Sequence, residues 1–294
     1  MTRKRDKFVR DLAVGGTAAA VSKTAVAPIE RVKLLLQVQY SHRDIAADKR
    51  YTGIIDAFRR VPQEQGFLSL WRGNLTNVAR YFPTQALNFA FNDLYKTLML
   101  RHLNREQHFW QYTARSLAAG GLAGSTTLCF VYPLDFIRTR LSVDIGSNPA
   151  NRTYKGFTHC LMQTAKSEGV LGLYRGFFIS IQTYFIYRAV YFGMYDTIRH
   201  FVEKDKKKLH FFGSFFIAQT VSACSAYITY PWDTVRRRMM IKGTLTTGHA
   251  FTVARKIIHQ EGVRGLFKGA LANVFRSGGG ALVMAIYEEI QKHL

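Results

Sequence analysis

The sequence predicts an all-α membrane protein, in which six transmembrane helices form three tandem repeats of about 100 residues around a central cavity. Short amphipathic helices are expected in the loops on the inner side of the membrane. Three observations predict this fold class: long stretches of the 294-residue chain are nearly uncharged, two motifs occur three times each, and the formal charge of +22 is unevenly distributed. A hydrophobic content of 48% excludes a disordered chain, and three scattered cysteines exclude a disulfide scaffold.

The candidate spans are stretches in which charged residues are rare. Residues 209–232 and 116–134 contain no Asp, Glu, Lys or Arg, and about 20 apolar residues are needed to cross a bilayer. Either stretch alone could equally be a buried helix of a soluble core. Four further stretches contain one base each, and they are residues 14–29, 73–92, 176–195 and 269–287. A base inside a membrane is costly unless it faces a wet cavity, so we expect the helices to surround one.

Two motifs divide the chain into three units. The first motif is Pro-x-acid-x-x-base, and it begins at Pro28, Pro133 and Pro231. The second motif is an aromatic residue, a base and a glycine, and it ends at Gly73, Gly176 and Gly269. Three matches in the same order are very unlikely by chance. We therefore expect repeats at 1–105, 106–205 and 206–294.

The loops between the two motifs carry most of the excess charge. The three loops hold a net charge of +15, whereas the remaining polar segments hold +6. By the positive-inside rule the loops face the inner side, and six spans place both termini on the outer side. Residues 54–64 and 157–168 within these loops are amphipathic enough to predict surface helices.

The first motif also predicts contacts between the units. Each proline should kink its helix toward a common axis, because it removes one helix hydrogen bond. The acid two residues later and the base five residues later would then meet partners from other units. A ring of ion pairs of this kind can act as a switch, because desolvation offsets much of its Coulomb gain. The alternative is three local ion pairs at helix ends.

This pattern resembles the mitochondrial carrier family over nearly the whole chain. The resemblance is closest to the members that exchange ADP for ATP, whose signature is Arg-Arg-Arg-Met-Met-Met. The corresponding residues here are Arg236, Arg237, Arg238, Met239, Met240 and Ile241. The resemblance implies an antiporter that exchanges Mg²⁺-free ADP and ATP across the mitochondrial inner membrane by alternating access. It further implies a functional monomer that needs no cofactor or metal, binds cardiolipin and has both termini in the intermembrane space.

The resemblance assigns the motif residues to two gates. On the matrix side it implies the pairs Glu30 with Arg138, Asp135 with Arg236, and Asp233 with Lys33. On the cytoplasmic side it implies the pairs Asp93 with Arg199, Asp196 with Gln291, and Glu288 with Lys96. Gln291 stands where a base is expected, so the sequence predicts a weaker cytoplasmic gate.

The bases in the spans suit a substrate with several negative charges. Lys23, Arg80 and Arg276 are expected to project into the cavity, where phosphates need point charges and bidentate donors. By resemblance the substrate residues are Lys23, Arg80, Tyr187, Thr229, Arg236 and Arg276. Arg188 and one of the tyrosines at positions 187, 191 and 195 could stack on a base, and the alternative is aromatic core packing.

Some positions depart from the family pattern. Thr183 and Tyr184 stand where members typically have Gly and Ile, at the site similar to the one that holds the adenine. Asn92 replaces a common lysine. These departures affect the base preference more than the binding of phosphate. The glycines at expected helix N-termini are similar to the family's cardiolipin sites, and they are Gly53, Gly73, Gly156, Gly176 and Gly269.

Other functions fit the sequence less well. No phosphate-binding loop, dinucleotide fingerprint or zinc-protease motif is present, so an enzyme is not expected. A soluble nucleic-acid binder would explain the charge but not the uncharged stretches. A carrier of another nucleotide, phosphate or carboxylate remains open, as does a proton leak that depends on fatty acid.

Overall fold

The computed structural model describes residues 2–42, 45, 47–101, 109–145, 152–204, 211–241 and 249–276. Within these ranges every regular element is helical, which confirms the predicted all-α class. The long helices are α1 (Thr2–Val38), α3 (Asn74–Leu100), α4 (Phe109–Val143) and α6 (Phe177–Lys204), and in the third unit α7 (Phe211–Ile228) is followed directly by α8 (Tyr230–Met240). Three shorter helices lie in the loops, and they are α2 (Ile54–Gln65), α5 (Phe157–Glu168) and α9 (Ala250–Glu261).

The same order of elements recurs in each unit. A long helical segment leads to a short loop helix and a 3₁₀ turn, and in units one and two a second long helix follows. The three equivalent turns are Phe67–Trp71, Val170–Tyr174 and Val263–Phe267. In the third unit, residues 270–276 after the turn are helical.

One described helix passes a test of length and composition for crossing a membrane. It covers Gln111–Val143 within α4, and its mean hydropathy is 1.3. This segment includes the predicted span 116–134.

The two repeated motifs of each unit meet at the proline. A proline lacks an N–H, so the carbonyl group four residues earlier loses its helical donor. The indole nitrogen of Trp71 donates to the carbonyl oxygen of Thr24 at 2.8 Å, four residues before Pro28. The Tyr174 hydroxyl donates to the Cys129 carbonyl oxygen at 3.0 Å, four residues before Pro133. The aromatic residue of the second motif thus replaces the donor that the proline removes.

The third unit differs at this point. Its aromatic residue, Phe267, has no donor and instead stacks on Tyr227, with the ring centroids 5.1 Å apart. The long helix is interrupted at Thr229, between α7 and α8, whereas α1 and α4 continue through their prolines. The helical hydrogen bonds from Thr229 N–H to the Ser225 oxygen (3.1 Å) and from Asp233 N–H to the Thr229 oxygen (3.2 Å) continue across this point, so the irregularity in the third unit is local.

The glycines of the second motif pack one unit against the next. All three have left-handed φ angles, of 83°, 81° and 85° in chain order. A Cβ atom at any of them would lie 3.1–3.3 Å from a backbone carbonyl oxygen of a motif base in another unit. The facing residues, in the same order, are Arg138, Arg236 and Lys33. Unit one therefore contacts unit two, unit two contacts unit three, and unit three contacts unit one.

Glycines also allow the two long helices of a unit to pack closely. The ring of Tyr184 on α6 lies against Gly124 on α4, where a Cβ would be 2.6 Å from the ring. Phe185 lies against Gly121 in the same way. These contacts fix the position of α6 relative to α4.

Candidate functional site

The acids and bases of the first motif form a ring of ion pairs between units. The three pairs are Lys33 with Asp233, Glu30 with Arg138, and Asp135 with Arg236. The Lys33 Nζ atom lies 3.0 Å from Asp233 Oδ2, and the side chains are 9% and 18% exposed. Each pair joins a different two of the three units. The structure therefore brings together all six residues assigned to the matrix gate, in the partnerships that the resemblance implies.

A second set of bases shares the same carboxylates. Arg80 Nη1 lies 3.6 Å from Asp135 Oδ1, and Arg276 Nη1 lies 3.9 Å from Glu30 Oε1. Arg237 Nε lies 3.3 Å from Asp233 Oδ1. Six bases thus face three carboxylates in the described residues, an excess of three positive charges. Such an excess favours the binding of an anion beside the ring.

Three amide side chains support the ring, and the sequence interpretation missed them. Gln37 donates to Thr234 Oγ1 at 2.9 Å and to Asp233 Oδ2 at 3.4 Å. Asn77 donates to Glu30 Oε2 at 3.1 Å, and Lys33 donates to Asn273 Oδ1 at 3.0 Å. A repeated spacing could have identified two of them, because Asn77 and Asn273 each follow a motif glycine by four residues.

The arginines of the signature have three different positions. Arg236 contacts Asp135 in the ring, and Arg237 also donates to Thr139 Oγ1 at 2.7 Å. Arg238 is fully buried, donates to the Gln37 carbonyl oxygen at 3.0 Å and binds both carboxylate oxygens of Glu261. The segment therefore connects the ring to the loop helix α9 and to the first unit.

The three residues that follow these arginines also reach different units. Met240 belongs to the apolar cluster of the second unit, and Ile241 belongs to that of the first. Met239 packs against the cluster of the third unit. A single hexapeptide thus packs into all three cores, which explains physically why its apolar positions accompany the arginines.

The remaining cavity base, Lys23, lies beside α3. Its Nζ atom is 4.7 Å from the centre of the Tyr81 ring and 3.5 Å from the Asn77 carbonyl oxygen. Since Asn77 binds Glu30 and Arg80 contacts Asp135, Lys23 and Arg80 both lie close to the ring. The structure thus places Lys23, Arg80 and Arg276 around one region of the molecule.

The tyrosines of α6 stack on one another. The ring centroids of Tyr187 and Tyr191 are 6.0 Å apart, and those of Tyr191 and Tyr195 are also 6.0 Å apart. The Tyr187 hydroxyl lies 3.1 Å from Ser222 Oγ on α7. Arg188 lies over the Tyr184 ring, 5.1 Å from its centre. The three tyrosine rings are therefore packed against one another along one face of α6.

Two predicted substrate residues use their hydroxyl protons within the helix. Thr183 Oγ1 donates to the Ile179 carbonyl oxygen at 2.6 Å, and Thr229 Oγ1 donates to the Ser225 carbonyl oxygen at 2.8 Å. Both oxygens keep a lone pair with which to accept.

The predicted cytoplasmic gate is described only in part. Asp93 and Lys96 lie on α3 and are exposed, and Asn92 beside them is half-buried. The side chains of Asp196 and Arg199 lie outside the described residues, as do Glu288 and Gln291.

The glycines predicted to bind lipid lie at the starts of helices. Gly53 and Gly156 precede α2 and α5 in an extended conformation, with open space where a Cβ would be. The other three are the left-handed motif glycines, which precede α3, α6 and the helical residues 270–276.

Comparison with known proteins gives a consistent result along the chain. A family model described as "Mitochondrial carrier protein" matches residues 4–103, 109–206 and 207–294. The chain is 54% identical to ADP/ATP translocase 2 of Rattus norvegicus, over all of both chains. It is 55% identical to ADP/ATP translocase 4 of Homo sapiens, over 97% of this chain and 91% of that protein. It is 53% identical to ADP/ATP translocase 3 of Homo sapiens, over 99% of each.

Proposed function

The chain belongs to the mitochondrial carrier protein family, and from that premise we propose that it exchanges ADP for ATP across the mitochondrial inner membrane. Members of this family are transporters, so the chain is a transporter and not an enzyme. Similarity to three translocases named for ADP and ATP supports the choice of substrate. The observation that carries the proposal is the ring itself, in which three carboxylates face six bases.

The second set of bases suggests how the substrate opens the matrix gate. Arg80 and Arg276 lie 3.6 and 3.9 Å from ring carboxylates, at the outer limit of an ion pair. Phosphate oxygens carry more charge than a carboxylate and accept bidentate bonds from arginine. A bound nucleotide therefore draws both arginines away from Asp135 and Glu30. The ring carboxylates then lose part of the positive charge that neutralises them. Because the nucleotide binds the matrix-open state more tightly than the closed one, the population shifts toward the matrix-open state.

The gate must close again by the same forces. In the matrix-open state the pairs of the cytoplasmic gate form instead, and they are Asp93 with Arg199, Asp196 with Gln291, and Glu288 with Lys96. Since Gln291 carries no charge, this gate is the weaker of the two, and the cytoplasm-open state is the more populated. Replacing Gln291→Lys should shift the population toward the matrix-open state. An inhibitor that binds one state only would measure this, and unchanged binding would refute it.

Recognition of the nucleoside is assigned to the α6 and α7 side of the cavity. Its residues are Thr183, Tyr184, Tyr187, Arg188 and Thr229, with Arg236 near the ring. The planar side chains supply stacking surfaces, and the threonine oxygens supply acceptors for amino groups. The lipid assignment is part of the same proposal: cardiolipin phosphates bind the helix starts at the five glycines named above. The carrier acts as a monomer, with both termini in the intermembrane space.

Uptake of labelled ADP into liposomes loaded with ATP tests this function. We expect uptake that depends on internal nucleotide and is inhibited by external ADP and ATP. Inorganic phosphate, carboxylates and Mg²⁺-bound nucleotides should inhibit far less. Uptake driven only by a non-nucleotide anion would contradict the substrate assignment. Proton conductance that requires fatty acid but no nucleotide would contradict the antiporter assignment.

A further inference from the structure

The three joints of the matrix gate, where neighbouring units meet at the ring, differ at the residue before the motif proline. This residue is a tyrosine in units two and three, Tyr132 and Tyr230, and an alanine in unit one, Ala27. The Tyr132 hydroxyl donates to the Arg175 carbonyl oxygen at 2.7 Å, and the Tyr230 hydroxyl donates to the Lys268 carbonyl oxygen at 2.9 Å. Each bond ties the proline segment of a long helix to the end of the 3₁₀ turn in the same unit. An alanine side chain cannot make this bond.

The two tyrosines also hold the bases that cross their joints. The Arg236 guanidinium lies over the Tyr132 ring, 5.6 Å from its centre, and the Lys33 ammonium lies over the Tyr230 ring at 5.1 Å. A cation in this position is attracted by the negative face of the aromatic ring. Arg138, the base that joins units one and two, lies over no aromatic ring in the part of the chain that the structure describes.

An open gap lies at the joint between units one and two. Its volume is about 210 Å³, and its lining includes Ala27, Arg31, Arg72, Gly73 and Arg138. Arg72 and Gly73 correspond in sequence to the base and glycine beside the tyrosine hydroxyls of the other two units. The gap is therefore on the side of Ala27 where the other units have a tyrosine ring.

A second difference between the joints concerns the last residue of each loop helix. In units two and three this residue is a glutamate that binds an arginine of the long helix. Glu168 Oε1 lies 2.7 Å from Arg140 Nη2, and Glu261 binds Arg238 through both carboxylate oxygens. The same two arginines cross to the next unit, where they donate to backbone carbonyl oxygens at 2.8 and 3.0 Å. A compensated charge thus crosses each of these joints.

Unit one lacks this carboxylate. The corresponding residue is Gln65, whose Oε1 atom accepts from Arg31 Nη2 at 2.5 Å. Arg31 donates to the Asp144 carbonyl oxygen at 3.2 Å, and Arg72 donates to the same oxygen. Arg31 is 1% exposed, and its Nε and Nη1 atoms have no hydrogen-bond partner among the described residues. Two like charges therefore share a neutral acceptor here, which makes burying them costly.

Units one and two are held together further along α3. The Tyr95 hydroxyl lies 3.0 Å from Thr126 Oγ1 on α4, and the rings of Phe91 and Phe130 stack with their centroids 5.8 Å apart. At 1.5 Å per residue, Tyr95 is about 27 Å along the helix from Asn77 beside the ring. The two units can therefore part at the ring while α3 and α4 remain in contact at the far end.

We propose that the joint between units one and two is the weakest of the three, and that the matrix gate opens there first. This order of opening rests on the proposed function and adds a sequence of steps to it. Water enters the gap and solvates Arg31 and Arg138, so units one and two part while the two joints with tyrosines still hold. Ala27 is a positioning residue, because it acts through Arg138 and the turn and not by touching the substrate.

Equivalent positions on the loop helices can report the three joints separately. Arg59, Met162 and Arg255 are the sixth residues of α2, α5 and α9, and all three are exposed. In a carrier without its native cysteines, cysteines at two of these positions carry spin labels, and pulsed EPR measures their separation in liposomes with saturating ADP. We expect a longer-distance population in the pair Arg59→Cys, Met162→Cys. It should exceed that of either other pair about tenfold, the worth of one cation–π contact and one hydrogen bond.

Two substitutions should remove this difference between the joints. Ala27→Tyr supplies the missing ring and hydroxyl, and Gln65→Glu supplies the missing carboxylate. Each should lower the longer-distance population of the pair at positions 59 and 162, by about tenfold for Ala27→Tyr, and slow the exchange of ADP for ATP. Ala25→Tyr is the matched control, because Ala25 is exposed on the same helix, and it should change neither quantity.

The possible results separate the order of opening from the proposed function. Equal longer-distance populations in the three pairs refute the order, as does a larger population at either of the other joints. The order is also wrong if Ala27→Tyr has no more effect than Ala25→Tyr. If Ala27→Tyr does not reconstitute, Gln65→Glu must lower the population at positions 59 and 162. A carrier in which ADP lengthens no pair refutes the proposed gate, and the order of opening with it.

Discussion

Neutralising Asp233 should remove one side of the ring. Asp233 accepts bonds from Lys33 at 3.0 Å, Arg237 at 3.3 Å and Gln37 at 3.4 Å. In Asp233→Asn the Lys33 ammonium, whose side chain is 9% exposed, keeps two uncharged described partners, the Asn273 amide oxygen and the Tyr230 ring, 5.1 Å from its centre. Removing one partner of a buried ion pair costs about 3–5 kcal/mol, because the other charge remains buried. We expect this cost to fall on the state in which the ring is closed.

Two measurements detect the weakened ring in Asp233→Asn. The first is the free energy of unfolding of the purified carrier, which should fall by about 3 kcal/mol or more. The second uses Thr84→Cys, introduced without the native cysteines, because Thr84 lines a pocket beside the ring. An impermeant maleimide added from the matrix side should label this cysteine at least about 100-fold faster when the ring equilibrium shifts by 3 kcal/mol.

Two control variants make the reasoning refutable. Glu64→Gln removes a carboxylate whose side chain is 44% exposed, and its effect should stay within about 1 kcal/mol. Adding Lys33→Gln to Asp233→Asn removes the unpaired charge and should restore most of the lost stability. The buried-charge cost at Lys33 is refuted if Asp233→Asn behaves like Glu64→Gln. It is equally refuted if the double variant is no more stable than Asp233→Asn.

Three further predictions concern the parts that hold the ring in place. Trp71→Phe removes the indole donor of the Thr24 carbonyl group, so thermal unfolding should show a loss of about 0.5–1.5 kcal/mol, the net worth of one hydrogen bond. Phe267→Tyr adds the missing donor and should not destabilise, and a loss in Phe267→Tyr as large as that in Trp71→Phe would contradict the explanation. Gly176→Ala, at φ 81° and facing a carbonyl, should abolish reconstitution, whereas Gly156→Ala should not. Burial raises the pKa of Glu261, but the bonds and charges of its two basic partners outweigh this and lower the pKa below the usual value. Its stabilising contribution is therefore present above the usual pKa and lost as the pH falls, so an acid titration of Glu261→Gln should lack this loss.

The sequence predicted the ring because its signal is geometric and repeated. A fixed spacing of proline, acid and base on three related helices leaves few ways for the charges to meet. The helical class was also predictable, because the long uncharged stretches recur at similar intervals along the chain. Six partners of the matrix gate were therefore identified from the sequence and the family resemblance.

Other features depend on atoms that no spacing specifies. The prolines remove the helical donors of the Thr24 and Cys129 carbonyl groups, but only the folded chain shows which side chains replace them. In the third unit Phe267 offers no such donor and stacks on Tyr227 instead. The sequence shows that Tyr184 stands where family members typically have isoleucine. The position of its ring, however, depends on the space that Gly124 leaves on α4.

The most direct test of the account is whether the cavity bases carry the substrate. The exchange rate of ADP for ATP in liposomes should be compared for Arg80→Gln and Arg59→Gln, which remove one arginine each. Arg80 lies beside the ring, whereas Arg59 is exposed on α2. Losing a charge-assisted contact worth about 1.5–3 kcal/mol predicts exchange at least about tenfold slower for Arg80→Gln. The account predicts an unchanged rate for Arg59→Gln, and equal rates for the two variants would contradict it.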